Sequence, residues 1–408
     1  MKKLYTILLL TLTTLLASAQ TLNVVQGNVT HAYEALAGDM TFCCGSRVQI
    51  QGKDYPVSEI TKIVIDETPV TRATVKVDYS GNFAHVTISG DMALYVDAAV
   101  SGADVVITPS DEVCTDITYI LSGTSANGSF QLNGNYKSTV VLNGISLTST
   151  TGSPIDIENG KRISIVVADG TENVFEDAAE HTGKAAFFVN GHSEFSGSGK
   201  ITVRGNAKHA YRSDEYTEFT SDFSGTFVVD KAASDAIHVG QYLKVSGGTF
   251  NLSGMIGDGM DVEITNEETD TLNGYVFLDG GTVNIQCTTD DTKGIKCDSI
   301  LNITGTDLTV NVAGNGCKGI SSGTHLYMDG GKVTMNVSGT TYHKDQDDES
   351  KCRGMKVGGD FTFRSGNISM NVTGAKAKAI KVDGNYYYTG NGTMNCSVDC
   401  DGTSKKID

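Results

Sequence analysis

Apolar residues recur at every second position in short runs, and the runs themselves recur along the chain. Within residues 275–297, YVFL is followed by the turn DGG, then by TVNIQC, and after a polar bend by GIKC. Alternation with period two marks half-buried strands, because successive side chains of a strand point to opposite faces. The later stretches LYMDGGKVTMNV, DFTFRSGNISMNV and NYYYTGNGTMNCSV repeat the first two runs. The third run returns as one apolar residue between charges: KGIK at 293–296, KGIS at 318–321, RGMK at 353–356, KAIK at 378–381 and KKID at 405–408. Upstream the same slot reads DAIH at 235–238 and DGMD at 258–261.

The central residues Ile237, Met260, Ile295, Ile320, Met355, Ile380 and Ile407 are separated by 23, 35, 25, 35, 25 and 27 positions. The two long gaps read as a 25-residue period carrying polar, acidic loops at 265–272 (TNEETDTL) and 339–350 (GTTYHKDQDDES). Three short strands per period predict a parallel β-helix, in which no single coil closes a core but stacked coils bury a continuous one. Period two then assigns the inward columns. One is Val245, Leu278, Ile303, Met328, Phe363 and Tyr388; another is Leu252, Ile285, Val310, Met335, Met370 and Cys396. The strand rhythm extends upstream through VVLNGISL (140–147), ISIVV (163–167) and AAFFV (185–189). Residues 20–70, with IQGKDYPVSEITKIVIDE, read as a small β module, 71–115 as a linker with a β cap or first coils, and 116–408 as the β-helix.

Composition agrees with many strands and tight turns: 47 glycines, 4 prolines and no tryptophan among 408 residues. Lys2-Lys3, the apolar run from Ile7 to Leu16 and Ala17-Ser18-Ala19 form a secretory leader over residues 1–19, so the mature chain is expected to be exported. Its compartment would be periplasmic, cell-surface or extracellular. Removal of Lys2 and Lys3, with no acid, takes the formal charge from −17 to −19. Such an acidic chain is a poor nucleic-acid partner. No later apolar run is long enough for a transmembrane helix, and no feature calls for oligomerisation. Cys287, Cys297 and Cys396 replace valine in apolar columns and read as small buried hydrophobes. Cys317 and Cys352 share one bend position and are spaced to pair between neighbouring coils, although stacked in-register geometry does not favour a disulfide.

The stretches TVVLNGISLTSTTGSPIDIENGKRISIVVADGTENVFED (139–177), KAAFFVNGHSEFSGSGKITVRGNAKHAYRSDEY (184–216) and SDAIHVGQYLKVSGGTFNLSG (234–254) resemble a family of exported bacterial carbohydrate-binding domains. The resemblance covers about residues 115–408. It implies a right-handed parallel β-helix related in structure to pectate lyases, bound calcium, and binding of plant cell-wall polysaccharides, including acidic ones such as polygalacturonate. The leader and the IQGKDYPVSEI module resemble those of exported Bacteroidetes proteins.

Neighbouring coils lie about 4.8 Å apart, so the charges beside each central residue form columns. One column reads Asp235, Asp258, Lys293, Lys318, Arg353, Lys378, Lys405; the other reads His238, Asp261, Lys296, Ser321, Lys356, Lys381, Asp408. At the acidic end Asp235, Asp258 and Asp261, with Asp214 from the preceding coil, are candidate oxygen ligands for Ca2+, which offsets their repulsion. The phrases from Lys293 onward carry Lys or Arg where the family carries an acid, so calcium is expected only at that end. At the basic end Lys293, Lys296, Lys318, Arg353, Lys356, Lys378 and Lys381 suit a chain of repeated carboxylates, the alternative being neutralisation by Asp290-Asp291 and by the acidic loop at 339–350. A third column places Phe277, Tyr327 and Tyr387 on alternate coils, about 9.6 Å apart, a spacing suited to stacking against sugar rings.

The expected function is calcium-stabilised, non-catalytic polysaccharide binding, with no catalytic residues assigned. Two alternatives use the same scaffold. A calcium-dependent polysaccharide lyase would draw on Asp258, Asp261, Lys293 and Lys296 for proton abstraction. A surface structural or adhesin protein would use none of these columns for a ligand.

Overall fold

A computed structural model describes residues 20–34, 40–43, 45–266, 271–345 and 347–398. The leader, Cys44 and the phrase KKID at 405–408 lie outside the described residues. The architecture is all-β: among the described residues the one helical turn is a 3-10 turn at Gly90–Met92.

From Ile117–Ser125 onward the strands pair in parallel and in three ladders. The first ladder runs through Thr217–Phe223, Tyr242–Val245, Tyr275–Leu278, Leu301–Ile303 and the front of Leu326–Val337. The second runs through Thr226–Ala232, Thr249–Leu252, Thr282–Cys287, Asp307–Val312 and the back of Leu326–Val337. The third is a separate twelve-stranded sheet reaching from Val96–Ser101, which pairs antiparallel with Ala103–Pro109, to Lys378–Val382; the pairings after Ala103–Pro109 are parallel. Its register pairs Ile237 with Met260, Met260 with Ile295, Ile295 with Ile320, Ile320 with Met355 and Met355 with Ile380, the sequence of partners that the repeat predicts.

The glycine before Met260, Ile295, Ile320 and Met355 has a steric cause. A Cβ on Gly294 would sit 2.5 Å from the Gly319 carbonyl oxygen and 2.7 Å from Val310 Cγ1, so adjacent backbones approach too closely for a side chain. The loop at 339–350 contains a short antiparallel hairpin pairing Tyr342–His343 with Glu349–Ser350.

The inward columns form one core. Val245, Leu278, Ile303, Met328 and Phe363 are fully buried, as are Ile285, Val310 and Met335. Filling changes along the axis. Phe175, Phe187, Phe195, Tyr211, Phe219, Phe223, Phe227 and Phe250 are buried in the middle of the chain, and after residue 278 aliphatic residues and methionines predominate, joined by Phe361 and Phe363. Two expected core members differ. Tyr388 is 52 % exposed and Cys396 only half-buried, because Tyr386–Val398 is the last described strand of its ladder and has a strand on one side only. Cys287 and Cys297 are buried as expected. Cys317 and Cys352 are buried free thiols rather than a disulfide; their Sγ atoms donate to the carbonyls of Thr289 at 3.0 Å and Gly314 at 3.2 Å.

In the N-terminal part, Thr21–Gln26 pairs antiparallel with Val29–Glu34 and Lys62–Asp66. Leu22, Val24, Tyr33, Val48, Ile50, Tyr55 and Ala93 make a second, small core. Val29–Glu34 continues the sheet by pairing with Phe83–Ser89, and Thr74–Ser80 pairs in parallel with Ile117–Ser125. Thus residues 74–89 carry strands that connect the two regions by backbone hydrogen bonds.

Candidate functional site

The charge reversal lies on the third ladder. Backbone pairing sets His238 beside Asp261, Asp261 beside Lys296, Lys296 beside Ser321 and Lys356 beside Lys381. It also aligns Lys293, Lys318, Arg353 and Lys378.

At the acidic end, Asp235, Asp258 and Asp261 are buried and present carboxylate oxygens within 4.8 Å of one another. Asp214 is not among them. Its carboxylate is held by Arg212 Nε at 2.7 Å and by the Lys184 ammonium. The register explains this. Tyr211 pairs with Ile237, so the residue in line with Asp235 on the previous turn is His209. The phrase HAYR at 209–212 is therefore a further copy of the repeat.

His209 Nδ1 lies 3.0 Å and His238 Nδ1 3.1 Å from the same oxygen, Asp235 Oδ2, and the two imidazoles stack with centroids 4.3 Å apart. Asp235 Oδ1 accepts the backbone N–H of Asp258 at 2.7 Å. Asp258 Oδ1 accepts the backbone N–H of Lys293 at 2.7 Å, and Asp261 Oδ1 accepts from Lys296 Nζ at 2.8 Å. Burial pushes the Asp258 carboxyl up to about 6 despite the Lys293 charge. Burial also raises Asp261 over the opposing pull of Lys296. Asp235 is the opposite case. Burial acts to raise it, but hydrogen bonds from His209, His238 and the Asp258 N–H hold it below the usual carboxylate range. Burial lowers His209.

This set does not fit the calcium that the sequence suggested. Calcium takes six to eight oxygens. Here the carboxylates already serve two imidazoles, an ammonium and two backbone N–H groups. The lyase ingredients are likewise committed. Burial acts to lower the Lys296 pKa, but its bond to Asp261 outweighs this and holds it above the ordinary lysine value, which is wrong for a general base. Lys293 Nζ donates to the Asp291 carbonyl at 2.7 Å.

The basic end divides in two. Asp291 Oδ1 receives Lys318 Nζ at 3.3 Å and the Ser350 hydroxyl at 2.6 Å, while Asp291 Oδ2 receives Lys344 at 2.7 Å. Lys344 and Ser350 belong to the loop at 339–350, so that loop folds onto the column. Arg353 is buried, its guanidinium donating to the Cys352 carbonyl. Lys356 and Lys378 are half-exposed, and Lys381 is exposed beside Asp383 at 2.7 Å.

The aromatic column aligns as predicted, Phe277 with Asn302, Asn302 with Tyr327, and Thr362 with Tyr387. Its members are not equivalent. Phe277 stacks on Tyr275 at 5.9 Å and meets Tyr242 edge-on at 6.2 Å, so neighbours cover part of its ring. His192, Tyr216 and Tyr242 form a further stack with centroids 4.3 and 4.8 Å apart, their faces directed along the ladder at one another. Tyr387 is 49 % exposed. Sequence reasoning passed over a polar surface on the second ladder. Outward Asn251, Asn284, Thr309, Thr334 and Ser369 align in one row, and Gln286, Asn311, Asn336 and Asn371 in another. Asn284 donates to Asn251 at 3.1 Å and Asn336 to Asn311 at 2.8 Å. The signal was present as Asn or Thr at fixed outward slots.

Residues 101–402 match the family model for carbohydrate-binding domain-containing proteins. A carbohydrate-binding domain-containing protein of Acetivibrio thermocellus is 29 % identical over 98 residues, covering 22 % of this chain and 34 % of the relative. The match thus spans about a third of that relative's length. A solved structure of a polysaccharide lyase-like protein from C. thermocellum, a gadolinium derivative, superposes with a TM-score of 0.49 at 24 % identity, covering 60 % of this chain and 93 % of that one.

Proposed function

Because the chain belongs to the carbohydrate-binding domain-containing family, we propose that it is a non-catalytic binding protein for plant cell-wall polysaccharide, built as a right-handed parallel β-helix. The three parallel ladders support that architecture: each successive turn adds one strand to each ladder, and a polymer can lie along the axis against identical groups. The leader-like residues 1–19 support export to the periplasm, cell surface or medium.

The observation that carries an acidic glycan as ligand is the late basic column. Lys356 and Lys381 pair in register, with Lys378 on the neighbouring column, and all three reach solvent. Ammonium groups at the strand spacing of about 4.8 Å suit the carboxylates of a uronic-acid chain. Lys293, Lys296, Lys318 and Arg353 contribute less than the sequence suggested, since protein groups already hold them. This reading needs no calcium. A neutral glycan is the second reading, favoured by the Asn and Thr rows of the second ladder and by Tyr387, which offer hydrogen bonds and an open ring face.

Affinity electrophoresis through polygalacturonate and through a soluble cellulose derivative separates the two. Retardation by polygalacturonate, with and without chelator, is the expected outcome. Three exposed ion pairs at about 0.5 kcal/mol each predict that the triple variant K356Q/K378Q/K381Q binds about tenfold more weakly. Retardation by the cellulose derivative alone transfers the site to the second ladder. Retardation by neither overturns glycan binding by these faces, and an ultraviolet-absorbing unsaturated product overturns the non-catalytic assignment.

A further inference from the structure

We propose that His209, His238 and Asp235 form a binding site for a divalent transition ion of the zinc class. The site is separate from the glycan faces and independent of any ligand lying on them.

The donor atoms are His209 Nδ1, His238 Nδ1 and Asp235 Oδ2, on two consecutive turns of the third ladder, with Asp235 and His238 on the same one. The first two lie 3.0 and 3.1 Å from the third. Zinc binds imidazole nitrogen and carboxylate oxygen at about 2.0–2.2 Å, which in a tetrahedral site spaces neighbouring donors by about 3.3–3.6 Å. The two imidazole nitrogens thus stand a few tenths of an ångström inside that spacing from Asp235 Oδ2, and all three donors lie within 4.8 Å of one another, so a small outward shift of the rings would seat such an ion. Asp261 Oδ2, 3.6 Å from His238 Nδ1, is the nearest carboxylate oxygen to complete the set. Two nitrogens and one or two carboxylate oxygens are a borderline set that selects zinc-class ions over calcium, which needs more oxygens.

A second observation comes from the outer nitrogen of His238. Its Nδ1 faces Asp235 Oδ2 at 3.1 Å, and its Nε2 faces the Glu263 carboxylate at 3.4 Å. The ring is only 6 % exposed. A neutral imidazole carries one N–H, so it cannot donate to both carboxylates. A metal on Nδ1 removes the conflict: Nδ1 gives its lone pair to the ion and Nε2–H donates to Glu263. Metal-bound histidines commonly use their other nitrogen in this way. Asp235 is prepared similarly, because the Asp258 backbone N–H engages Oδ1 and leaves Oδ2 directed at the imidazoles. The elements packed around the cluster also bring Arg212 two residues from Asp214, and Lys296 on Asp261. These cations offset the surplus of carboxylates without entering the His–Asp–His triangle.

The test uses the exported chain after dialysis against chelator, titrated separately with Zn2+, Co2+ and Ca2+. The expected result is uptake of one Zn2+ per chain, a melting temperature that rises with Zn2+ but not Ca2+, and a visible cobalt spectrum of tetrahedral intensity. H238Q should weaken zinc uptake by at least about a hundredfold. E263Q, whose side chain is half-exposed and whose loss does not threaten folding, should weaken it about tenfold. Absence of zinc uptake by the wild-type chain overturns the proposal. So does uptake that both variants retain, which would place the ion on other ligands such as the thiols, and so does stabilisation by Ca2+ in preference to Zn2+.

Discussion

Asp291→Asn isolates the contact that most limits the basic column. Asp291 lies at φ 57°, a left-handed conformation that asparagine also tolerates, so the substitution removes charge with little change of backbone preference. Burial acts to raise the Asp291 carboxyl, but hydrogen bonds from Lys344 and Ser350 and the charges of Lys293 and Lys318 hold it at about 2, below its ordinary 3.8. A carboxyl depressed on folding stabilises the protein at pH values above the unfolded value, and that stability is lost as pH falls through the folded one. The difference corresponds to a ceiling of about 2 kcal/mol. The Lys344 side chain is 45 % exposed, so screening reduces this to about 1 kcal/mol. Urea unfolding at pH 7 should therefore show Asp291→Asn about 1 kcal/mol less stable than wild type, and the gap should close as pH approaches 2. Binding should move the other way. Releasing Lys318 and Lys344 adds two cations to the proposed polymer face and should tighten polygalacturonate retardation about fivefold. Unchanged stability together with unchanged retardation would refute the view that Asp291 neutralises this column.

Phe219 is buried and packs against Phe195, Phe250, Phe223 and Phe227 with centroids 4.5 to 5.5 Å away. Phe219→Ala should cost about 3–5 kcal/mol in urea unfolding, since neighbouring rings held in strands cannot collapse into the space. Burial raises the thiol pKa values of Cys297 and Cys352 to about 11, and also raises those of Cys287 and Cys317. Alkylation of the folded protein followed by peptide mass spectrometry should label the exposed Cys43 and Cys114 and spare those four. Peptides containing Cys317 and Cys352 should show no mass change on reduction; a two-hydrogen increase would mean the thiols pair. Gly294→Val should destabilise more than Ser321→Val in thermal melts, because only the first drives a side chain into a neighbouring carbonyl.

The sequence by itself determined the repeat, the inward and outward faces, and the register of the third ladder from Ile237 to Ile380. These follow from side-chain alternation and from a phrase that recurs each time the same three short runs have passed, both legible along the chain. It also placed Cys287 and Cys297 in apolar columns, since a thiol standing for valine needs no partner. Tertiary structure decided what each charge touches. His209 escaped notice because HAYR places a histidine and a tyrosine where later phrases carry an acid or a cation and an aliphatic residue. Asp214, an acid a few residues on, looked like the better ligand until pairing of Tyr211 with Ile237 set the register. The loop at 339–350 is acidic by composition, yet its single lysine and single serine reach Asp291. Phe277 and Tyr387 share one column, but one ring is half-buried against Tyr275 and Tyr242 and the other is more open, because packing depends on the neighbouring side chains of the same and adjacent turns. Periodicity fixes where side chains start. Their ends meet across turns that are distant in sequence, and distances of about 3 Å there decide between a ligand, an ion pair and a free group.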